Sequence, residues 1–382
     1  MKKQKIALFH PWLKSRGGAE KVVLELLEKS KHQYDVYTWA YDKNNTFPEF
    51  KKYNIHILMP NFAKKLAKLH ILRGIFFPLS LFRKIPLKNY EKFLISTSGL
   101  AEFITFRSRK KGNTYAYVHT PLREANKEIV KWNLNNRHKG KPIQKMFYLL
   151  AVKFYRIFEK LAWKKLDVVI FNSELSKKRA KENNLLKSQS VHIVYPPIDF
   201  SRFEKIKKKN SKAFVYISRL NPPKRQDLLI EAWKKFSIKK GGYKLILVGN
   251  QDNKKYYEKL KQLSSGDKSI EIKSNVSNKE LEELLGKAKA GFFLGYQEDF
   301  GIVPLEVLAA NKPLLAVDEG GYVNLIKSHP LFHKIKEKHD KTQMINEIAK
   351  ELENFINKKP LKKTMKIEKK DFVKEIDEVL GE

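Results

Sequence analysis

Residues 213–248, AFVYISRLNPPKRQDLLIEAWKKFSIKKGGYKLILV, hold one full period of the pattern that decides the fold. Ala213–Ile217 is short, apolar and β-branched, as a buried strand is. A helical pattern follows near Arg225–Phe236, and Tyr243–Val248 reads as the next strand. The period continues downstream. Helices near Lys254–Leu263, Asn278–Lys287 and Val303–Ala310 alternate with strands Ser269–Ile272, Gly291–Leu294 and Pro313–Val317. It also extends upstream, through strands Lys5–Phe9, Tyr34–Thr38, Lys92–Ser96, Thr114–Val118, Asp167–Phe171 and Val191–Val194, with helices Ala19–Lys29 and Ser173–Asn183. Strands alternating with helices of roughly 10–15 residues imply α/β architecture with doubly wound parallel sheets.

The chain has 382 residues, room for two domains of roughly 190 each. A break falls where Tyr195-Pro196-Pro197 ends a strand, since proline cannot donate to a ladder, and where Lys205–Lys212 (KIKKKNSK) turns polar and basic. The expectation is an N-terminal Rossmann-like domain over residues 1–197 and a C-terminal one over 198–382, facing a central cleft. Ligands of such sheets sit beyond the carboxyl ends of the strands. Glu337–Glu382 reads as Lys/Glu-rich helices without recognisable chemistry.

Composition narrows the chemistry. Lys plus Arg number 78 against 41 acidic residues, a formal charge of +37 that should attract polyanions. The absence of cysteine excludes disulfides, zinc thiolates and Cys nucleophiles, and fits a reducing cytoplasm. The apolar run Ile6–Phe9 is too short for a signal peptide, and no stretch approaches the roughly 18 apolar residues of a spanning helix. The expectation is a soluble or peripheral protein.

Four motifs sit where ligands should bind. Lys14–Glu20 (KSRGGAE) follows the first strand and opens a helix. Gly17 and Gly18 would let backbone N–H groups approach an anion, although a tight turn would use the same glycines. Val118–Arg123 (VHTPLR) puts His119 at a strand end, where it can bond a sugar hydroxyl or be structural. Ser218–Arg225 (SRLNPPKR) offers Arg219 and Lys224 to a diphosphate: a planar fork and a point charge. Gln297–Glu306 (QEDFGIVPLE) is the sharpest. Glu298 falls in a loop after a buried strand and Glu306 in the first turn of the next helix, where it could grip vicinal hydroxyls or complement the helix dipole. No GxGxxG or Walker pattern is present.

Taken in order, and with Leu247-Val248-Gly249, Asp318–Gly321, FNSELSKK and VYPPID, these motifs resemble retaining glycosyltransferase family 4 over about Lys5–Ile326, in its mannosyltransferase-like branch. The resemblance implies a GT-B fold with the nucleotide-sugar donor in the C-terminal half. Arg219 and Lys224 would neutralise the donor diphosphate, and Glu306 would hold the ribose hydroxyls. Glu298 would contact the transferred sugar, with Asp299, Phe300, Gly301 and Ile302 beside it. His119 would reach the sugar across the cleft, and Gly17 and Gly18 would approach the diphosphate or the acceptor. The implied reaction is front-face transfer with retention, the leaving phosphate taking the acceptor's proton and no metal required. GDP-mannose is the favoured donor, with UDP-sugars open. The acceptor would be a lipid-linked glycan or glycolipid, and the place of action the cytoplasmic side of a membrane, on its inner leaflet. Three residues depart from the family pattern: Ser218 stands for a common Gly before the Arg, Asn311 for Gly before Lys-Pro, and Asn324 for Glu.

The segment 61–90 mixes Lys64, Lys65, Lys68, Arg73, Arg83, Lys84 and Lys88 with many apolar residues and no acidic one, which suits either an anionic membrane surface or a helix packed on its sheet. Met146–Lys165 is similar but contains Glu159. Two other readings remain: a nucleotide-sugar epimerase of the same fold, and a basic nucleic-acid-binding protein. The sequence has no recognition helix, RNP motif or zinc knuckle to support the second, and no nucleic acid is expected as a partner.

Overall fold

The structure, a computed structural model, describes residues 3–59, 83–136, 138, 140–206, 211–237, 241–357, 367 and 370–382. Two compact units emerge: residues 1–197 together with 370–382, and residues 198–369.

Among its described residues the first unit has nine strands: β1 Lys5–Phe9, β2 Trp12–Leu13, β3 Gln33–Thr38, β4 Ala40–Tyr41, β5 Ile55–Ile57, β6 Lys92–Thr97, β7 Thr114–Val118, β8 Val168–Phe171 and β9 Ser190–Ile193. Among the described residues seven of them form one parallel sheet, ordered β5-β3-β1-β6-β7-β8-β9, and β2 pairs β4. Alternate residues of β1 enter opposite cores: Ala7 and Phe9 join one cluster, Ile6 and Leu8 the other. A sheet buried on both faces explains why its strands are continuously apolar rather than alternating. The chain builds outward from β1 in one direction through β3 and β5, then returns to β1's other side with β6. This reversal is the switch point at which loops splay apart and leave a crevice.

The second unit follows the same plan with β10 Ala213–Ile217, β11 Lys244–Val248, β12 Ile270–Lys273, β13 Ala290–Phe293, β14 Leu314–Val317 and β15 Phe332–Ile335. Its order is β12-β11-β10-β13-β14-β15, all parallel, so its switch point lies between β10 and β13. Trp233, Phe292 and the half-buried Phe355 pack around the buried Phe214 ring.

The helix Phe372–Val379 belongs to the first unit. Asp371 caps it by accepting from the N–H groups of Val373 and Lys374, and Phe372, Val373, Ile376 and Leu380 enter the cluster of Ile6, Leu8 and Val23. Asp377 accepts hydrogen bonds from Ser30 Oγ at 2.6 Å and Lys31 N at 3.1 Å.

Several elements lie outside the sequence reading. β5 and β15 are edge strands, too short and mixed in composition to stand out. Lys127–Asn136 and the 22-residue Pro142–Trp163 are helices, the latter extending the basic amphipathic stretch upstream. Of the segment 61–90, residues 61–82 lie outside the described residues. No described helix is long and apolar enough to cross a membrane.

Candidate functional site

Both switch points gather the residues that the motifs single out. In the second unit the loop after β10 opens with Ser218 and Arg219, which lie against Gly249. A Cβ on Gly249 would stand 1.7 Å from the Ser218 carbonyl oxygen, so only glycine lets the ends of β10 and β11 close up. Gln226, fully buried, donates to Ser218 Oγ at 2.7 Å and to the Arg219 carbonyl at 2.9 Å, fixing the loop from below. The Tyr216 hydroxyl donates to the Lys224 carbonyl at 2.5 Å and accepts from Leu294 N at 3.0 Å. It thereby ties the loop after β10 to the end of β13.

Lys224 and Glu298 meet across that junction. Lys224 Nζ lies 2.5 Å from Glu298 Oε2, with the ammonium 5.2 Å from the centre of the Phe293 ring. Bare backbone surrounds Glu298: a Cβ at Gly295 would lie 3.3 Å from its Oε2, and one at Gly301 3.3 Å from its Cγ. Gly301 has φ +88°, and a Cβ there would also sit 2.6 Å from the Tyr322 ring. That conformation starts the helix Ile302–Ala309 immediately after the loop. Phe300 is buried and Asp299 and Ile302 are half-buried. Arg219 is exposed, 67% at the side chain, and pairs with Asp252 at 2.9 Å. The adjacent Arg225 forks onto Glu337 with two bonds of 2.8 Å and covers the Tyr296 ring.

Glu306 corrects one expectation. The helix begins at Ile302 with no acid in its first turn, so Glu306 lies in the second turn, beyond the N-terminal N–H groups. Complementing the helix dipole is therefore not its role. Burial pushes its carboxyl up to about 7, against the pull of Arg202 and with a further push from Asp199. Arg202 itself is held by Glu282 at 2.5 Å. Asn311 has φ +52°, the left-handed geometry at a helix end that Asn tolerates in place of Gly. Asn324 is exposed on the short helix Val323–Ile326.

In the first unit, His119 follows β7 and its N–H donates to the Thr97 carbonyl at 2.8 Å. Ser96 Oγ, at the end of β6, lies 2.9 Å from His119 Nε2 and 3.0 Å from Nδ1 of His10, the residue after β1. A hydroxyl has one proton, so Ser96 donates to one imidazole and accepts from the other, and the tautomers of the two rings are coupled. Burial lowers both imidazole pKa values, His10 to about 4; His10 also opposes a charge on His119. The relay is thus neutral. Gly17 caps the helix Gly18–Lys29, with the Glu20 carboxylate folded back over it onto Ser15 Oγ at 2.7 Å.

Sequence reasoning missed His10, Ser96, Asp252 and Arg202. His10 had a legible signal, because LFHPW places it at a strand's carboxyl end just as VHTP places His119. Among the described residues no group of three or more His, Asp or Glu side chains gathers in metal-binding geometry.

A parallel two-unit α/β chain with ion pairs at one switch point and a neutral histidine relay at the other has the fold of the GT-B glycosyltransferases. Residues 197–371, somewhat under half of the chain, match the family model described as glycosyl transferases group 1, so the chain carries a domain of that description. Among curated relatives, the alpha-1,3/1,6-mannosyltransferase ALG2 of Rhizomucor pusillus is 23% identical, over 85% of this chain and 78% of its own. The GDP-Man:Man(3)GlcNAc(2)-PP-Dol alpha-1,2-mannosyltransferase of Homo sapiens is 27% identical, over 83% and 73%. Among solved structures, Anabaena Alr3699/HepE in complex with UDP superposes with a TM-score of 0.63 at 16% identity, over 92% of this chain and 90% of that one. The glycosyltransferase WaaG, involved in lipopolysaccharide biosynthesis, gives 0.61 at 15%, over 91% and 90%.

Proposed function

We propose that this chain transfers mannose from GDP-mannose to a lipid-linked oligosaccharide, with retention at the anomeric carbon. The observation that carries the site reading is the Lys224–Glu298 pair at 2.5 Å, a cation and a carboxylate held together at the carboxyl ends of β10 and β13. The relatives' named donor and acceptor support the choice of mannose and of a lipid-borne glycan.

In this reading Lys224 and Arg219 stabilise the charge that develops on the departing diphosphate. Glu306 accepts hydrogen bonds from the ribose hydroxyls. Glu298 contacts the mannosyl hydroxyls, with the Asp299–Ile302 backbone beside it. His119, neutral and oriented through Ser96, serves a sugar hydroxyl, and Gly17 and Gly18 approach an anionic part of a substrate. The bond between the anomeric carbon and the β-phosphate oxygen breaks as the bond to the acceptor oxygen forms. The acceptor's proton passes to the leaving phosphate, so GDP is the second product. The chain would work peripherally on the cytoplasmic leaflet of a membrane, and residues 61–90 are one candidate contact.

Thermal shift with GDP, UDP and ADP, followed by transfer assays with the matching nucleotide sugars and a polyprenyl-diphosphate oligosaccharide, tests the proposal. A melting-temperature rise with GDP that Glu306→Ala abolishes, and mannose in the lipid fraction, are expected. A rise with UDP alone would reassign the donor to a UDP-sugar. Nucleotide-sugar turnover that ignores the acceptor would favour an epimerase.

A further inference from the structure

The helix Pro142–Trp163 is apolar on two sides. Its inner side buries Val152, Ala162 and Trp163 in the first unit. On its outer side Ile143, Phe147, Leu150, Phe154, Ile157 and Leu161 follow one another at spacings of 4, 3, 4, 3 and 4 and form a single stripe. All six are exposed, Ile143 to 69% and Phe147 to 63%. A stripe of this kind, three turns or more in length, is rarely left facing water.

The charge around it is of one sign. Lys153 and Lys160 are exposed along one flank of the stripe, and Lys145 is exposed nearer the opposite side of the helix. The helix's only acid, Glu159, is fully buried and accepts from Leu122 N at 2.8 Å, so it does not offset them. The same 4-3 spacing would suit a coiled-coil seam with a second copy. Pairing two copies, however, would bring lysines against lysines on a chain already at +37. An anionic surface complements both features.

We propose that the outer face of this helix docks on an anionic lipid bilayer, lying in the interface with its stripe among the acyl chains and its lysines at the headgroups. The helix also braces the loop that begins at His119. Besides the Glu159 bond, Arg156 donates to the Ala125 carbonyl at 3.0 Å. Docking therefore anchors a catalytic candidate through two side chains of one element, Glu159 and Arg156. The proposal deepens the reading of a lipid-borne acceptor, and its test uses neither donor nor acceptor, so the two can fail separately.

The full chain is co-sedimented with phosphatidylcholine vesicles with and without phosphatidylglycerol, and its melting temperature is measured alongside. Partition onto the anionic vesicles is expected, falling at least about a hundredfold for the triple variant Lys145→Glu, Lys153→Glu, Lys160→Glu. Phe147→Glu with Leu150→Glu should lose binding as well, at unchanged melting temperature. Equal binding to neutral vesicles, or full binding by either variant, overturns the proposal. So does a dimer in sedimentation velocity that Phe147→Glu dissociates, which would assign the stripe to a second copy.

Discussion

At the first unit's switch point the groups gathered on the strand ends are neutral: two imidazoles and a hydroxyl, linked by bonds of 2.9 and 3.0 Å. At the second unit's they are charged and already paired, Lys224 with Glu298, Arg219 with Asp252 and Arg225 with Glu337. One topology thus supports two chemistries. A site for a diphosphate needs cations, and cations partly removed from water need carboxylates to hold them until the ligand arrives. A site for hydroxyls needs donors and acceptors of fixed direction, which burial supplies by keeping His10 and His119 uncharged.

The comparison can be broken most forcefully at Gly249. Gly249→Ala drives a methyl into the Ser218 carbonyl and should cost at least about 4 kcal/mol in urea unfolding. A nearly neutral result would mean that the charged loop adapts freely and that its pairs are not preorganised. Lys224→Ala removes the partner of Glu298 and should lower kcat/KM roughly a thousandfold, with Lys224→Arg recovering part of the loss. A tenfold loss or less would strip the charged site of its proposed task.

Proton linkage sharpens the contrast, because its sign differs between the units. His10 titrates at about 4 in the folded chain against 6.5 unfolded. The unfolded state binds the extra proton, so stability present above pH 6.5 falls as the pH drops toward 4, by up to about 3 kcal/mol. Glu306 titrates at about 7 folded against 4.5 unfolded. The folded state binds the extra proton, so this contribution is present below pH 4.5 and is lost as the pH rises through about 7. Urea midpoints across pH 4–8 should flatten on the acid side in His10→Gln and on the neutral side in Glu306→Gln; identical slopes in the variants would refute both assignments. The smallest effect belongs to Arg219→Ala. Its exposed pair should contribute under about 0.5 kcal/mol to stability, while nucleoside diphosphate affinity falls roughly tenfold by titration calorimetry.

The sheets were legible because parallel strands buried on both faces leave continuous apolar runs: β1, β7 and β10 read to the residue. Of the edge strands, β9 and β12 were read within a residue at each end, while β5 (IHI) and β15 (FHKI), whose few apolar residues are broken by His or Lys, were not. Gly249 and Gly301 could be found as motif glycines, but what each must avoid, a carbonyl in one case and an aromatic ring in the other, required coordinates. The His10–Ser96–His119 relay joins residues 86 and 23 positions apart, and no local pattern records such a meeting. Glu159 marks the opposite limit. In sequence it weakened the membrane reading of its segment, and its burial removes that objection.

The helix Phe372–Val379 bears on how the protein is made. Residues 370–382 complete the core of the first unit, yet they leave the ribosome only after all of the second unit has been synthesised. At ordinary translation speeds the nascent first unit waits on the order of ten seconds or more with Tyr117 lacking its Phe372 neighbour. Folding order is then inverted relative to synthesis order: the domain begun first is closed last, and chaperones have that interval in which to act on it.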